Sequence, residues 1–166
     1  MASVTLEGNP VTTNGELPAI GTTAPDFSLT SVELADKTLA DFVGKKKLIS
    51  IVPSMDTGVC AASTVKFNQI AKDHAKDLVA LIVSADLPFA AQRFCTGEKL
   101  ENVVTLSMMR DKHFAKDYGM LITDGPLAGI TARAVLVLDE DNKVLHSQLV
   151  GEITHEPDYD AAVAVL

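Results

Sequence analysis

Short apolar runs separated by polar turns set the pattern of the chain from residue 48 onward. Residues 48–52 are Leu-Ile-Ser-Ile-Val, and residues 79–83 are Val-Ala-Leu-Ile-Val. Such nearly continuous β-branched runs are typical of strands that are buried on both faces of a sheet. Three further runs predict strands at 103–106, 134–138 and 143–150. A polar turn separates the last two, and we expect them to form an antiparallel hairpin.

Between these strands the apolar residues recur at helical spacing instead. Residues 59–76 have apolar or small side chains about every 3.6 residues, which predicts a helix with one buried face. Pro88 is suited to the first turn of a second helix. A third helix is predicted at 111–118, where Gly119 ends it, and a closing helix at 158–166.

The first residues predict a separate β-hairpin. Residues 4–6 and 11–13 are short β segments on either side of a turn, and a loop punctuated by prolines and glycines follows them. The alternation of strands and helices beyond that loop predicts an α/β fold, with a mixed central β-sheet flanked by helices. A length of 166 residues corresponds to one domain, 1–166.

Composition excludes several classes of protein. The chain is 47% hydrophobic and 22% charged, which are ordinary values for a globular protein and exclude a disordered one. A net charge of −8 argues against partners with a phosphate backbone or an anionic membrane surface, and an aromatic content of 5% argues against a surface that stacks nucleic-acid bases. We find no signal peptide and no apolar run of membrane-spanning length, so we expect a cytoplasmic protein, with the periplasm left open.

The chain has two cysteines, Cys60 and Cys95, which are too few for a disulfide scaffold. They are therefore either inert core residues or a chemical pair, and in a reducing compartment a pair is more often catalytic than structural. The four histidines lack metal-ligand spacing, and no phosphate-binding glycine motif occurs. We expect neither a metal nor another cofactor.

Cys60 lies in the first turn of the helix predicted at 59–76. The partial positive charge and free N–H groups of a helix N-terminus favour a thiolate over a thiol, and a thiolate is the nucleophilic form. Thr57, three residues earlier, is suited to cap this helix. Position alone leaves two interpretations equally open, a reactive cysteine or a small core residue behind an ordinary cap.

The spacing of Pro53, Thr57 and Cys60 resembles the active-site motif of the peroxiredoxins. The surrounding sequence is similar to the bacterial thiol peroxidase branch, an atypical two-cysteine group with a thioredoxin-like fold. The likeness runs almost end to end, and its main blocks occur in order at 52–60, 84–90, 93–95 and 132–139. One departure is Gly58, where that branch often has proline.

The resemblance implies a role for five residues. Cys60 is the peroxidatic cysteine, and Cys95 is the resolving cysteine that forms a disulfide with it. Thr57 places a hydroxyl near the sulfur, Pro53 shields it from water, and Arg133 stabilises the thiolate and the oxygen that leaves. Without the resemblance, Cys95 has the position of a core residue and Arg133 that of a surface salt bridge.

The expected function is a thiol-dependent peroxidase with a role in antioxidant defence. Its substrates are hydrogen peroxide and alkyl or lipid hydroperoxides, its reductant is thioredoxin, and the protein is a homodimer, all by resemblance. One alternative is a general disulfide oxidoreductase, against which the missing C-x-x-C motif argues. Another is a non-enzymatic redox sensor or holdase that uses the same disulfide. If the two Cα atoms lie more than about 7 Å apart, the first turn of the Cys60 helix must unwind before they bond.

Overall fold

A seven-stranded mixed sheet forms the centre of the computed structural model, which describes residues 1–166. The nine strands of the chain are β1 Ser3–Leu6, β2 Asn9–Thr12, β3 Leu29–Thr30, β4 Asp36–Lys37, β5 Lys46–Ile51, β6 Leu78–Ser84, β7 Val103–Ser107, β8 Ala134–Leu138 and β9 Val144–Leu149. The helices are α1 Gly58–Asp73, α2 Pro88–Glu98, α3 Phe114–Asp117 and α4 Tyr159–Val163, with a 3-10 turn at Leu39–Phe42. None of these helices combines the length and apolar character that crossing a membrane requires.

The order of strands across the central sheet is β4-β3-β7-β6-β5-β8-β9. β5, β6 and β7 are parallel, whereas the outer strands pair antiparallel with their neighbours. Parallel strands need a crossover connection, which α1 provides between β5 and β6 and α2 provides between β6 and β7. The carboxyl ends of these strands therefore meet at one edge of the sheet, where the chain enters α1 and α2.

Each face of the sheet has its own apolar core, because successive side chains of a strand point to opposite faces. Leu48 of β5 packs with Phe67 of α1 and Ala162 of α4, in what we call the α1 core. The next residue, Ile49, packs with Phe114 of α3 in the opposite core, the α3 core. Helices thus cover both faces, which confirms the predicted α/β fold with a mixed sheet.

The N-terminal hairpin is confirmed as well. β1 and β2 pair antiparallel with Val4 opposite Val11, and both valines pack in the α3 core. Glu152, in the loop between β9 and α4, ties the hairpin to the domain. Its carboxylate accepts hydrogen bonds from Thr5 Oγ1 at 2.6 Å and from the N–H of Gly8 at 3.1 Å.

Three short elements between residues 29 and 42 are missed by the sequence analysis, which assigns this segment to a loop. β3 and β4 contain two residues each, which is too short to show a hydrophobic period. β3 forms because Thr30 pairs with Ser107 of β7, far away in the sequence.

The last two helices are shorter than the predicted 111–118 and 158–166. The carboxylate of Asp111 accepts hydrogen bonds from the N–H groups of His113 and Phe114. This side chain caps the turn before α3, so regular helix begins only at Phe114. Asp158 caps α4 in the same way through the N–H of Ala161.

Candidate active site

Cys60 is the third residue of α1, and its side chain is fully buried. Thr57 is the N-cap of this helix, and its hydroxyl oxygen accepts a hydrogen bond from the N–H of Cys60 at 3.4 Å. The same hydroxyl donates to the carbonyl of Ser54 at 3.2 Å. The sulfur thus belongs to the first turn of a helix whose partial positive charge favours an anion.

The segment 53–57, which we call the Cys60 loop, connects the end of β5 to α1. Pro53 is buried directly after Val52, whereas Asp56 and Thr57 are exposed. The Val52 carbonyl accepts a hydrogen bond from Thr131 Oγ1 at 3.1 Å, which joins this end of β5 to the segment before β8. The loop is therefore fixed at its inner end and reaches solvent at its outer turn.

Arg133 directly precedes β8 on the same face of the sheet as Cys60. Ile51 pairs with Ala134, so extending this register by one residue places Arg133 opposite Val52. Side chains alternate along a strand, so Arg133 shares its face with Val135, which packs in the α1 core together with Cys60. Arg133 is only 2% exposed, so the alternative of a surface salt bridge is wrong.

The guanidinium of Arg133 is only partly satisfied. Its Nε donates a hydrogen bond to the carbonyl of Ile153 at 3.0 Å, and its buried Nη1 has no partner. A buried permanent cation is costly without an anionic partner. The unpaired donor is therefore available for an anion on the α1 side of the sheet.

Tyr159 of α4 packs against the α1 core, on the face of the sheet that Arg133 shares. Burial and the hydrogen bond to Glu156 raise the pKa of Tyr159, and the charge of Arg133 opposes this shift. The Tyr159 ring contacts the ring of Phe67 edge to face, with centroids 5.2 Å apart. Phe67 follows Cys60 by about two helical turns on the same side of α1. Tyr159 and Phe67 therefore belong to the same packing layer as Cys60.

Cys95 lies in α2, in a different environment. Its side chain is half-buried, and burial raises the pKa of its thiol. It lines a cavity of about 380 Å³ between α2, β7 and the segment 31–33. Cys60 lines neither this cavity nor the next one, and both cysteines are free thiols.

A second cavity, of about 540 Å³, separates the Cys60 loop from α2. Its apolar lining includes Met55 of the loop together with Ala90 and Phe94 of α2. Asp86, which also lines it, joins the two sides. Asp86 Oδ1 accepts a hydrogen bond from Ser54 Oγ at 2.8 Å, and Oδ2 accepts one from the N–H of Met55 at 2.8 Å.

Sequence reasoning did not single out Asp86. The residue was visible only as one position of the block 84–90, and nothing in the local pattern links it to a loop some thirty residues earlier. Of the predicted site residues, the structure brings Pro53, Thr57, Cys60 and Arg133 to one edge of the sheet. Cys95 lines a cavity that none of these four residues lines.

The chain is similar to several known proteins. The model of the Redoxin family matches residues 19–163. A thiol peroxidase of Streptococcus sanguinis is 51% identical over 162 residues, which cover 98% of this chain and 97% of that protein.

Two solved structures are similar over nearly the whole fold. A peroxiredoxin-like protein from Aquifex aeolicus has a TM-score of 0.90 and 40% identity, over 99% of this chain and 95% of the other. A thiol peroxidase from Chromobacterium violaceum has a TM-score of 0.88 and 27% identity, over 96% and 92% of the two chains.

Proposed function

The chain belongs to the redoxin family and is a peroxidase of the bacterial thiol peroxidase type, and from this membership we propose that Cys60 reduces hydroperoxides with Cys95 as its resolving partner. The observation that carries the proposal is the position of Cys60. Cys60 lies at the N-terminus of α1, beside the Thr57 cap. It is on the same face of the sheet as Arg133, whose Nη1 is unpaired. A general disulfide oxidoreductase would need a second cysteine in that turn, where this chain has Thr57.

In the first step the Cys60 thiolate attacks one oxygen of the peroxide. The O–O bond breaks, the sulfur becomes a sulfenic acid, and the other oxygen leaves with the electron pair and takes up a proton to give water or an alcohol. Negative charge moves from sulfur to the leaving oxygen during this step. The fixed cation of Arg133 stabilises that charge, and the buried Pro53 helps to exclude water, since it has no N–H to solvate.

In the second step the thiol of Cys95 attacks the sulfenic acid of Cys60. A disulfide forms and water leaves, so the oxidising equivalent is conserved in the S–S bond. Burial raises the pKa of Cys95, which keeps this sulfur a thiol and thus a poor competitor for peroxide. A sulfur that stays protonated toward peroxide is compatible with the resolving role, which we assign to Cys95.

A dithiol protein must then reduce the disulfide, and we assign this step to thioredoxin. We also assign alkyl and lipid hydroperoxides as substrates in addition to hydrogen peroxide. We also propose that the protein acts as a homodimer in the cytoplasm. These finer assignments depend on the resemblance to the thiol peroxidases.

The test is peroxide consumption with thioredoxin, its reductase and NADPH, followed with hydrogen peroxide and with cumene hydroperoxide. We expect the wild-type protein to turn over and Cys60→Ser to lose turnover by several orders of magnitude. A wild-type rate no faster than that of free cysteine would favour the sensor or holdase instead. Full activity in Cys60→Ser would remove Cys60 from the reaction.

A further inference from the structure

The side chain of Asp86 connects the Cys60 loop to the end of β6 through its carboxylate. It accepts hydrogen bonds from Ser54 Oγ and from the Met55 N–H, which belong to two adjacent residues in the middle of that loop. Hydrogen bonds to an ionised acceptor are about twice as strong as those between neutral groups. The loop is thus held from outside its own segment by this charged group, in addition to the burial of Met55, which is 2% exposed in the α1 core.

Asp86 itself is fixed to the sheet. Ser84 Oγ donates to its Oδ2 at 2.9 Å and accepts from its N–H at 3.2 Å, while Ser107 Oγ donates to its carbonyl at 2.6 Å. These bonds come from the ends of β6 and β7, not from the loop. If the loop moves, Asp86 stays behind with the sheet, and the bonds to Ser54 and Met55 are the ones that break.

The same residue stands directly before the helix that carries Cys95. α2 begins at Pro88, two residues after Asp86, and the cavity of about 540 Å³ lies between this helix and the loop. Cys60 is buried away from that cavity, and Cys95 lines a different one. The two sulfurs thus share no cavity, and we expect the Cys60 loop to leave its present position before they bond, into the space that the cavity of about 540 Å³ provides.

From these contacts we infer that Asp86 is a latch on the Cys60 loop, and that its strength sets how the Cys60 sulfenic acid divides between two products. The inference rests on the proposed roles of Cys60 and Cys95. While the latch is closed, the sulfenic acid remains in the peroxide site. A second hydroperoxide can then transfer one oxygen to it, which gives a sulfinic acid and an alcohol or water. Once the latch opens, Cys95 forms the disulfide and releases water.

Asp86→Asn tests the latch, because an amide nitrogen cannot accept the bonds that one carboxylate oxygen accepts now. We expect the sulfenic acid to convert to the disulfide about tenfold faster than in the wild type, since a factor of ten corresponds to about 1.4 kcal/mol, close to the lower end for a hydrogen bond to a charged group. The peroxide concentration that converts half of the protein to sulfinic acid should rise by a similar factor. Quenched-flow sampling with intact mass measurement resolves the sulfenic, disulfide and sulfinic species.

Asp56→Asn is the matched control. Asp56 lies on the same loop and loses the same charge, but its side chain accepts no hydrogen bond, so we expect unchanged rates. Ser54→Ala removes one of the two latch bonds and keeps the Asp86 charge. It should accelerate disulfide formation by a smaller factor, and it replaces Asp86→Asn if that variant does not fold.

Faster disulfide formation in Asp86→Asn and Ser54→Ala, with Asp56→Asn unchanged, supports the latch. A purely structural role would slow the reaction with peroxide without accelerating the later step. Unchanged or slower disulfide formation in both latch variants would overturn the inference while leaving the proposed function intact. If the wild type itself forms no Cys60–Cys95 disulfide, the resolving role of Cys95 fails, and the latch fails with it.

Discussion

The two cysteines occupy regions that are built in opposite ways. Cys60 is fully buried at the start of α1, where a cap, an outside carboxylate and a partly unpaired arginine surround the loop that leads to it. Cys95 is half-buried within α2, beside a cavity. The first region is organised by hydrogen bonds and charge, whereas burial raises the pKa of the Cys95 thiol.

This difference separates the tasks of the two thiols. The Cys60 region can stabilise a negative charge, so it suits the attack on peroxide. Burial disfavours charge on the Cys95 sulfur, which is compatible with the resolving role proposed for it. The two positions also indicate which side moves, because Cys60 lies in the first turn of its helix, next to a loop, whereas Cys95 lies in the interior of α2.

Among the variants that distinguish the two cysteine regions, replacement of Cys95 should have the largest effect on activity. In Cys95→Ser we expect one peroxide to be reduced per protein at the wild-type rate, because the Cys60 region is intact. Steady-state turnover with thioredoxin should fall by several orders of magnitude, because no disulfide forms. Intact mass after one equivalent of peroxide checks both statements. Sustained turnover at the wild-type rate would show that the Cys60 sulfenic acid is reduced without Cys95.

Arg133 should account for the next largest effect. Arg133→Met removes the cation from the α1 side of the sheet, and loss of one such donor typically slows a reaction about a hundredfold to a thousandfold. We expect sulfenic acid formation to slow by about that factor. Arg133→Lys keeps a charge without the planar fork, so it should recover only part of the rate.

The rate of sulfenic acid formation is measured with a dimedone-type trap, and circular dichroism confirms that each variant is folded. A rate within about threefold of the wild type in a folded Arg133→Met protein would contradict the catalytic role. Arg133 would then serve only to hold the loop through its bond to Ile153.

The sequence was sufficient for much of this site. Thr57 and Cys60 are three residues apart, so their capping geometry follows from local helix rules. The strands and helices around them are long enough to show a period, which is why the sheet and the two crossover helices were predicted. Arg133 could be named through the resemblance, but its burial and its unpaired Nη1 required the structure.

Contacts between distant segments could not be predicted in this way. Asp86 meets Ser54 and Met55 only because parallel strands bring their carboxyl ends together, and no local pattern encodes that pairing. The same holds for Lys47, which the sequence places in a run of charged residues at a strand entrance. Its ammonium is buried and donates to the carbonyls of Asp139 and Glu140.

A glycine pair tests which cysteine region moves. Gly58 opens α1 and Gly97 lies near the end of α2, and a Cβ added at either position has no atom within 4 Å. An alanine restricts the unfolded backbone and favours helix by about 0.4–1 kcal/mol. Gly58→Ala should therefore slow disulfide formation about two- to fivefold, because the first turn of α1 resists opening.

Gly97→Ala provides the matched control on the Cys95 side. It should leave the rate of disulfide formation unchanged, while thermal melting shows whether each alanine stabilises the fold. Slowing by Gly97→Ala alone would mean that α2 is the element that moves. Equal slowing by both variants would mean that both helices open before the sulfurs bond.

The smallest effect we expect is a loss of stability at acid pH that originates on the Cys60 side of the molecule. Glu152 accepts hydrogen bonds from Thr5 and from the N–H of Gly8, and these bonds lower its pKa. The next residue, Ile153, donates its N–H to the carbonyl of Thr5 and accepts the bond from Arg133 Nε. Through this residue the N-terminal hairpin supports the loop that holds Arg133, and no such chain of contacts leads to Cys95.

The pKa of Glu152 is lower in the folded protein than its ordinary value of 4.5, so its contribution to stability is complete above that pH. The contribution is lost as the pH falls below 4.5, because the carboxylate becomes protonated. Glu152→Gln should therefore be less stable than the wild type at neutral pH, and the difference should shrink as the solution is acidified. Urea unfolding at several pH values measures this, with Glu16→Gln, an exposed carboxylate that accepts no hydrogen bond, as the control. A stability difference that stays constant from neutral to acidic pH would show that the hairpin does not depend on the Glu152 charge.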